Sequence, residues 1–245
     1  MHSRDGIIPA MKKKINIKVG YASAAAGEIS GDAAISCGLP DGSRALILSD
    51  GMGRGIKAAA GSRLVVSRLR RNLKEGMAVA KAIKEVNQYM IDCAEDEDFA
   101  TVDLTIIDPK LCRAKFYKMG AGASFLVRGG RVRRITQEAL PVGIIPRLRL
   151  THISARLEPG DIIVVASDGI TEADHGDMEA CWLSDYLSNY VESCRTSVVK
   201  RTLSPRRLAA DILWQAFSIY DGKEQDDLTV AVVVLNNEEQ DFTDC

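Results

Sequence analysis

Pro159–Ala173 reads P-G-D-I-I-V-V-A-S-D-G-I-T-E-A. A turn dipeptide opens the stretch, an unbroken apolar run follows, and the run stops at Ser167-Asp168-Gly169. A run this short, rich in β-branched residues and bounded by glycines, is a buried strand rather than a helix. Arg44–Gly55 (R-A-L-I-L-S-D-G-M-G-R-G) repeats the plan, with an apolar strand ending at Ser49-Asp50-Gly51. A lone Asp-Gly is ordinarily a turn, because Asp bonds its own backbone and Gly supplies positive φ. Hairpins rarely need the same Ser before the same Asp-Gly after matching strands, so the two copies point to a shared purpose.

Working outward, Ile15–Ala22 alternates as a half-buried strand, and Ala33–Cys37 follows a Gly-rich turn. Asp41-Gly42 is a hairpin turn. Ile56–Leu73 and Met77–Cys93 carry apolar residues at helical spacing. Strands are expected at Thr101–Ile107, Arg113–Met119, Ser124–Arg128, Val132–Ile135 and Leu148–Arg156. Helices are expected at Trp182–Val191 and Pro205–Tyr220, and a last buried strand at Leu228–Leu235. Hairpin signals dominate, so the sheets should be mainly antiparallel. Two such sheets need a common core with helices over their outer faces. The expected class is α+β, a four-layer α-β-β-α sandwich. Residues 1–14 read as a flexible lead-in, 15–236 as the one domain and 237–245 as a polar tail.

The 245 residues suit one large domain, and 46% hydrophobic with 27% charged residues is an ordinary globular balance. A net charge of −1 gives no long-range field toward nucleic acid or an anionic membrane. No apolar run approaches the roughly 20 residues of a membrane-spanning helix. The six cysteines form no C-x-x-C pair and no zinc spacing with His2, His152 or His175, which reads as free thiols in a cytoplasmic chain. None has an Arg six positions later, so a cysteine-phosphatase loop is absent.

Four aspartates sit where an apolar strand meets a turn: Asp32, Asp50, Asp168 and Asp227. Each strand fixes its carboxylate and each turn leaves it near solvent. Clustered carboxylates repel one another and call for a cation at neutral pH. With oxygen donors only and no His or Cys, the ions expected are two Mn²⁺ or Mg²⁺. A pair of such ions activates water for in-line attack on phosphorus, predicting hydrolysis without a phosphoenzyme.

Taken in order, E-I-S-G-D (28–32), S-D-G-M-G-R-G (49–55), F-A-T-V-D-L-T-I-I-D (99–108), L-P-V-G-I (140–144), 159–173 and D-D-L-T-V-A-V-V (226–233) resemble the motifs of the metal-dependent protein phosphatases, the type 2C superfamily. The bacterial branch typified by the stage II sporulation protein E phosphatase domain is the nearest in pattern. The resemblance implies a metal site between two antiparallel sheets. Asp50 would bridge two ions, the Gly51 carbonyl would serve one, Asp168 and Asp227 the other, and Asp32 would complete the site. It also implies a phosphoserine or phosphothreonine protein as substrate, in a sigma-factor or stress-signalling pathway. In that branch the two helices after the metal turn act as a switch, which makes 56–73 and 77–93 the expected target of an activating partner.

Arg54 and Lys57, at the start of the first helix, are candidates to hold substrate phosphate. Gly120–Ser124 looks like a nucleotide loop, but a strand follows it, so it reads as a tight connection. Asp103 is expected to be exposed strand polarity, and Asp226 to point away from Asp227 by strand alternation. Two other functions compete: a non-catalytic phosphoprotein-binding module and a hydrolase of small phosphoesters.

Overall fold

In a computed structural model, the described residues are 15–53, 55–93, 99–174, 182–196, 203–220 and 226–237. The expected lead-in, the polar tail beyond 237, the acidic stretch 95–98, His2, His175, Cys181, Cys245 and the candidate Arg54 lie outside them. Strands β1 (Ile15–Ala24), β2 (Asp32–Gly38) and β3 (Arg44–Asp50) lead into helices α1 (Gly55–Lys74) and α2 (Val79–Cys93). Five strands follow: β4 (Val102–Asp108), β5 (Arg113–Met119), β6 (Ser124–Arg128), β7 (Arg131–Ile135) and β8 (Ile153–Arg156). Then come β9 (Ile162–Ala166), a short α3 (Asp168–Thr171), α4 (Trp182–Thr196), α5 (Pro205–Ile219) and β10 (Leu228–Asn237).

The strands form two five-stranded sheets, ordered β1-β10-β9-β6-β7 and β2-β3-β4-β5-β8. Every neighbour pair is antiparallel. Between the sheets, Leu46, Leu48 and Phe116 pack against Leu126, Ile163, Val165 and Val233. On the outer face of the second sheet, Ala45, Ile47 and Leu104 meet Val65, Leu69, Ile83 and Val86 of α1 and α2. On the outer face of the first, Val164, Val230 and Val232 meet Leu187, Leu208 and Ile212 of α4 and α5. Strands β9 and β10 are therefore covered on both faces, which is why their sequences run apolar without alternating. The four-layer arrangement agrees with the expected class.

The predicted strand Leu148–Arg156 is realised only at Ile153–Arg156. Further along the β5 edge, the Gln137 side-chain amide donates to the Lys118 carbonyl. Leu148 and Leu150 instead turn into the cluster under α1 and α2. Hydrophobic burial beats strand pairing there, because an alternating pattern also satisfies a chain laid over a core.

The alternation inside β3 decides where its end points. Leu46 and Leu48 face the inter-sheet core, while Ala45 and Ile47 face the helices. Asp50, two residues beyond Leu48, therefore faces between the sheets. Among the described residues, Cys37, Cys93 and Cys194 are free thiols.

Candidate active site

The two S-D-G copies end adjacent layers of the sandwich, and their serines explain the repetition. Ser49 Oγ donates to the Thr101 carbonyl at 2.6 Å, while the Asp50 amide donates to Thr101 Oγ1 at 2.8 Å. Ser167 Oγ accepts from the Thr229 amide at 2.9 Å and donates to the Asp227 carbonyl at 3.3 Å. Each serine pins its strand end to the neighbouring strand, and each following carboxylate is aimed from a fixed base. Beyond Ser167 the chain turns into α3, where the Gly169 amide donates to Asp168 Oδ1 at 2.9 Å. The Tyr220 hydroxyl donates to the Gly169 carbonyl at 2.9 Å and holds that turn from α5.

Asp50 and Asp168, carried by different sheets, line one small cleft together with Thr101, Gly122 and Ser167. Asp32 stands directly opposite Asp50 in the β2–β3 register. Facing like charges on neighbouring strands destabilises a sheet. Both Asp32 carboxylate oxygens are buried without a hydrogen-bond partner. The Thr229 and Ser167 hydroxyls face that carboxyl and temper its pKa without reaching hydrogen-bond geometry. Burial, then the Asp168 and Asp227 charges, raise Asp32 from 3.8 to about 7. Burial, then Asp168, Asp32, Asp226 and Asp227, raise Asp50 from 3.8 to about 8. Asp168 is also raised, first by burial and then by Asp226.

Asp227 reaches the cluster, and each of its oxygens accepts one backbone amide. Ala26 donates to Oδ1 at 2.8 Å and Gly31 to Oδ2 at 2.5 Å. It thus ties the loop before β2 to the start of β10. Asp226, expected to point away, is exposed and acts on both Asp50 and Asp168. Strand alternation does not govern this pair, because β10 begins only at Leu228, and Asp226 Oδ1 folds back to accept the Asp227 amide at 2.8 Å. The Q-D-D doublet was the signal that two carboxylates share this corner.

The backbone of Gly51 completes the corner. Its amide donates to the Gly31 carbonyl at 3.1 Å. A Cβ on Gly31 would stand 3.1 Å from Asp227 Oδ2 and 3.5 Å from the Gly51 carbonyl oxygen, so these two donors share one side of the corner. A Cβ on Gly51 would meet the Ala58 carbonyl oxygen at 1.9 Å, so α1 lies directly on the metal turn.

These groups fit hard divalent cations. The donors are all oxygens, one carboxylate is buried and unpartnered, and the main influences on the raised carboxyls include no cation. Among the described residues, no three acidic, His or Cys side chains close on one point. Ions here would be held by pairs of carboxylates, the Gly51 carbonyl and water, as suits Mg²⁺. Lys57 is exposed in the first turn of α1 and is not among the main influences on the carboxyls. Asp103, expected to be exposed, is fully buried and paired with Lys118, because the β4–β5 register sets the two opposite each other.

The family model described as Stage II sporulation protein E matches residues 40–236. Stage II sporulation protein E of Bacillus subtilis (strain 168) is 30% identical over 228 residues, which is 92% of this chain and 26% of that protein. The chain therefore spans about a quarter of that relative's length. A solved structure of the PP2C phosphatase domain and a fragment of the regulatory domain of the same protein superposes with a TM-score of 0.78. It is 30% identical and covers 91% of this chain and 64% of its own. The catalytic domain of the serine threonine protein phosphatase PstP, solved in complex with 2 manganese ions, matches at 17% identity and a TM-score of 0.68. That match covers 91% of this chain and 100% of the other, and shows the shared fold. Among the described residues, no helix is long and apolar enough to cross a membrane.

Proposed function

The chain belongs to the stage II sporulation protein E family, with the fold of PP2C phosphatase domains, and from that premise we propose that it is a metal-dependent phosphoserine/phosphothreonine protein phosphatase. One observation carries the proposal: Asp50 and Asp168, from opposite sheets, line a single cleft beside the buried, unpartnered Asp32.

The proposed ligands are Asp50, the Gly51 carbonyl, Asp168 and Asp226, with Asp32 beneath them. Asp227 stays in the set as the group that holds the loop through the Ala26 and Gly31 amides. Bound Mn²⁺ or Mg²⁺ would supply Lewis acidity, activating water and spreading the charge of the phosphoryl group. The manganese pair of the PstP catalytic domain supports that choice of ion. The protein's own part is to hold acidic oxygens rigidly against their mutual repulsion. Ser49 and Ser167 do so by fixing the strand ends, and the short α3 does so by fixing Asp168. Among the described residues lining the cleft there is no Cys or His, and the one serine, Ser167, is engaged with the backbone of Thr229 and Asp227. Direct hydrolysis by an activated water, with no phosphoenzyme, is the reading proposed with the metal site.

The substrate class proposed is a phosphorylated regulatory protein, in keeping with a relative described as a cell fate determinant. Arg54 and Lys57 remain proposed phosphate-holding groups, Lys57 for its exposed place in the first turn of α1. Control through α1 and α2 is supported by the seat of Ala58 on Gly51. Localisation in the cytoplasm is proposed with the same family premise.

The test is phosphate release from a phosphoserine peptide with Mn²⁺. Activity is expected to need the metal and to fall at least about a hundredfold in Asp168→Asn, the scale of losing an electrostatic stabiliser. Binding of the phosphopeptide without release would favour a non-catalytic module. Release only from an aryl phosphate would favour a small phosphoester hydrolase.

A further inference from the structure

Three fully buried polar side chains lie between the sheets, below the acidic cleft. Lys118 Nζ pairs with Asp103 Oδ2. Ser124 Oγ accepts from Lys118 Nζ at 2.9 Å and donates to the same Asp103 oxygen at 2.7 Å. All three are 0% exposed. Asp103 and Lys118 are cross-strand partners on β4 and β5, in one sheet. Ser124 opens β6, in the other. The triangle is therefore a hydrogen-bonded tie from sheet to sheet, set in a core otherwise filled by Leu48, Phe116, Leu126 and Val165.

Its place relative to the cleft is the informative point. In the second sheet Asp103 pairs with Leu48, and Asp50 is two residues beyond Leu48. In the first sheet Ser124 pairs with Val165, and Ser167 and Asp168 follow two and three residues beyond. The tie sits one pleat repeat, about 7 Å, below Asp50 on one sheet and below Ser167, the residue before Asp168, on the other. A buried ion pair adds little net stability, since desolvation offsets its attraction, but its directional bonds can fix one arrangement among several. Apolar contacts around it would tolerate a slip of one sheet over the other. The Ser124 bonds would not.

We infer that Asp103, Lys118 and Ser124 are positioning residues that set the separation of Asp50 from Asp168, and so the affinity of the site for its divalent cation. The inference rests on the metal-site reading above and goes beyond it by naming what holds the two half-sites in register. The three residues act through the strands, and none of them touches substrate. Outer groups that orient metal ligands are worth roughly 10- to 100-fold in affinity.

The experiment compares Mn²⁺ affinity, by calorimetry and by electron paramagnetic resonance of free Mn²⁺, with thermal unfolding of the metal-free protein. Ser124→Ala cuts the tie and leaves the Asp103–Lys118 pair inside its own sheet. It is expected to unfold within a few degrees of wild type and to bind Mn²⁺ roughly tenfold more weakly. The apolar triple variant Asp103→Leu, Lys118→Met, Ser124→Ala removes every buried charge of the network, a change that often leaves stability intact or improved. It is expected to stay folded with the same loss of affinity. Wild-type affinity in Ser124→Ala, or in a folded triple variant, overturns the inference while leaving the metal site standing. Absence of Mn²⁺ binding by the wild type overturns the metal-site reading and this inference with it. If the triple variant does not fold, Ser124→Ala decides alone.

Discussion

At the scale of single residues, the division of labour between Asp226 and Asp227 is the sharpest feature of the site. Both oxygens of Asp227 accept loop amides, whereas Asp226 is exposed and its charge acts on Asp50 and Asp168. Asp227→Asn sets an amide donor against one of those backbone donors. It should cost about 1–2 kcal/mol, seen as a lower midpoint in urea unfolding of the metal-free protein. Asp226→Asn removes one repelling charge, and the Asn oxygen can still accept the Asp227 amide that Asp226 Oδ1 holds. It should leave or raise metal-free stability and weaken Mn²⁺ binding at least about tenfold. The opposite ranking would return Asp227 to the ligand role. The sequence showed Asp32, Asp50, Asp168 and the doublet as carboxylates at strand ends. It could not show which of two adjacent carboxylates turns inward, because that depends on where β10 begins. Asp103 was expected to be exposed, and its burial was not read, but its partner could have been. Counting back from the Asp108–Arg113 pair places it opposite Lys118, so the hairpin register alone makes that pairing legible.

At the scale of elements, the site is a meeting of four strand ends with the first turns of α1 and α3. Helix α1 reaches the metal turn so closely because Gly51 and Gly31 have no side chain to hold Ala58 away. Its small residues Ala58 and Ala59 are buried in that contact. Whatever moves α1 must therefore move Gly51, and with it the carbonyl and the neighbouring Asp50. A short chemical crosslink locking α1 against β2 should raise Mn²⁺ affinity and change turnover of a phosphoserine peptide. Unaltered affinity and unaltered turnover would show that the helix is not coupled to the site. Helix and strand limits were largely readable from apolar period, since α1, α2, β3 and β9 each differ from expectation by a few residues at most. The shortened β8 and the turn of α3 were not readable. The first follows from Leu148 and Leu150 packing under α1 and α2, and the second is held by the Tyr220 hydroxyl from beyond α5, contacts that leave no mark on local pattern.

At the scale of the whole molecule, folding forces like charges together, and pH should report it. The folded-state values of Asp32 and Asp50, about 7 and about 8, lie above the ordinary 3.8. Between about pH 4 and pH 8 the folded chain thus keeps protons that the unfolded chain has released. Metal-free stability must fall as pH rises through that window. Cation binding displaces those protons, so Mn²⁺ affinity should rise over the same range. Thermal unfolding from pH 5 to 8, with chelator and with excess Mn²⁺, checks both signs. A metal-free midpoint that climbs with pH would contradict the burial of these carboxyls. The most direct single measurement is an anomalous-difference map from crystals soaked in Mn²⁺. Peaks in the cleft between Asp50 and Asp168, within coordination distance of their carboxylates, are predicted. A map with no peak there, or with manganese only at acidic patches elsewhere on the surface, would contradict it.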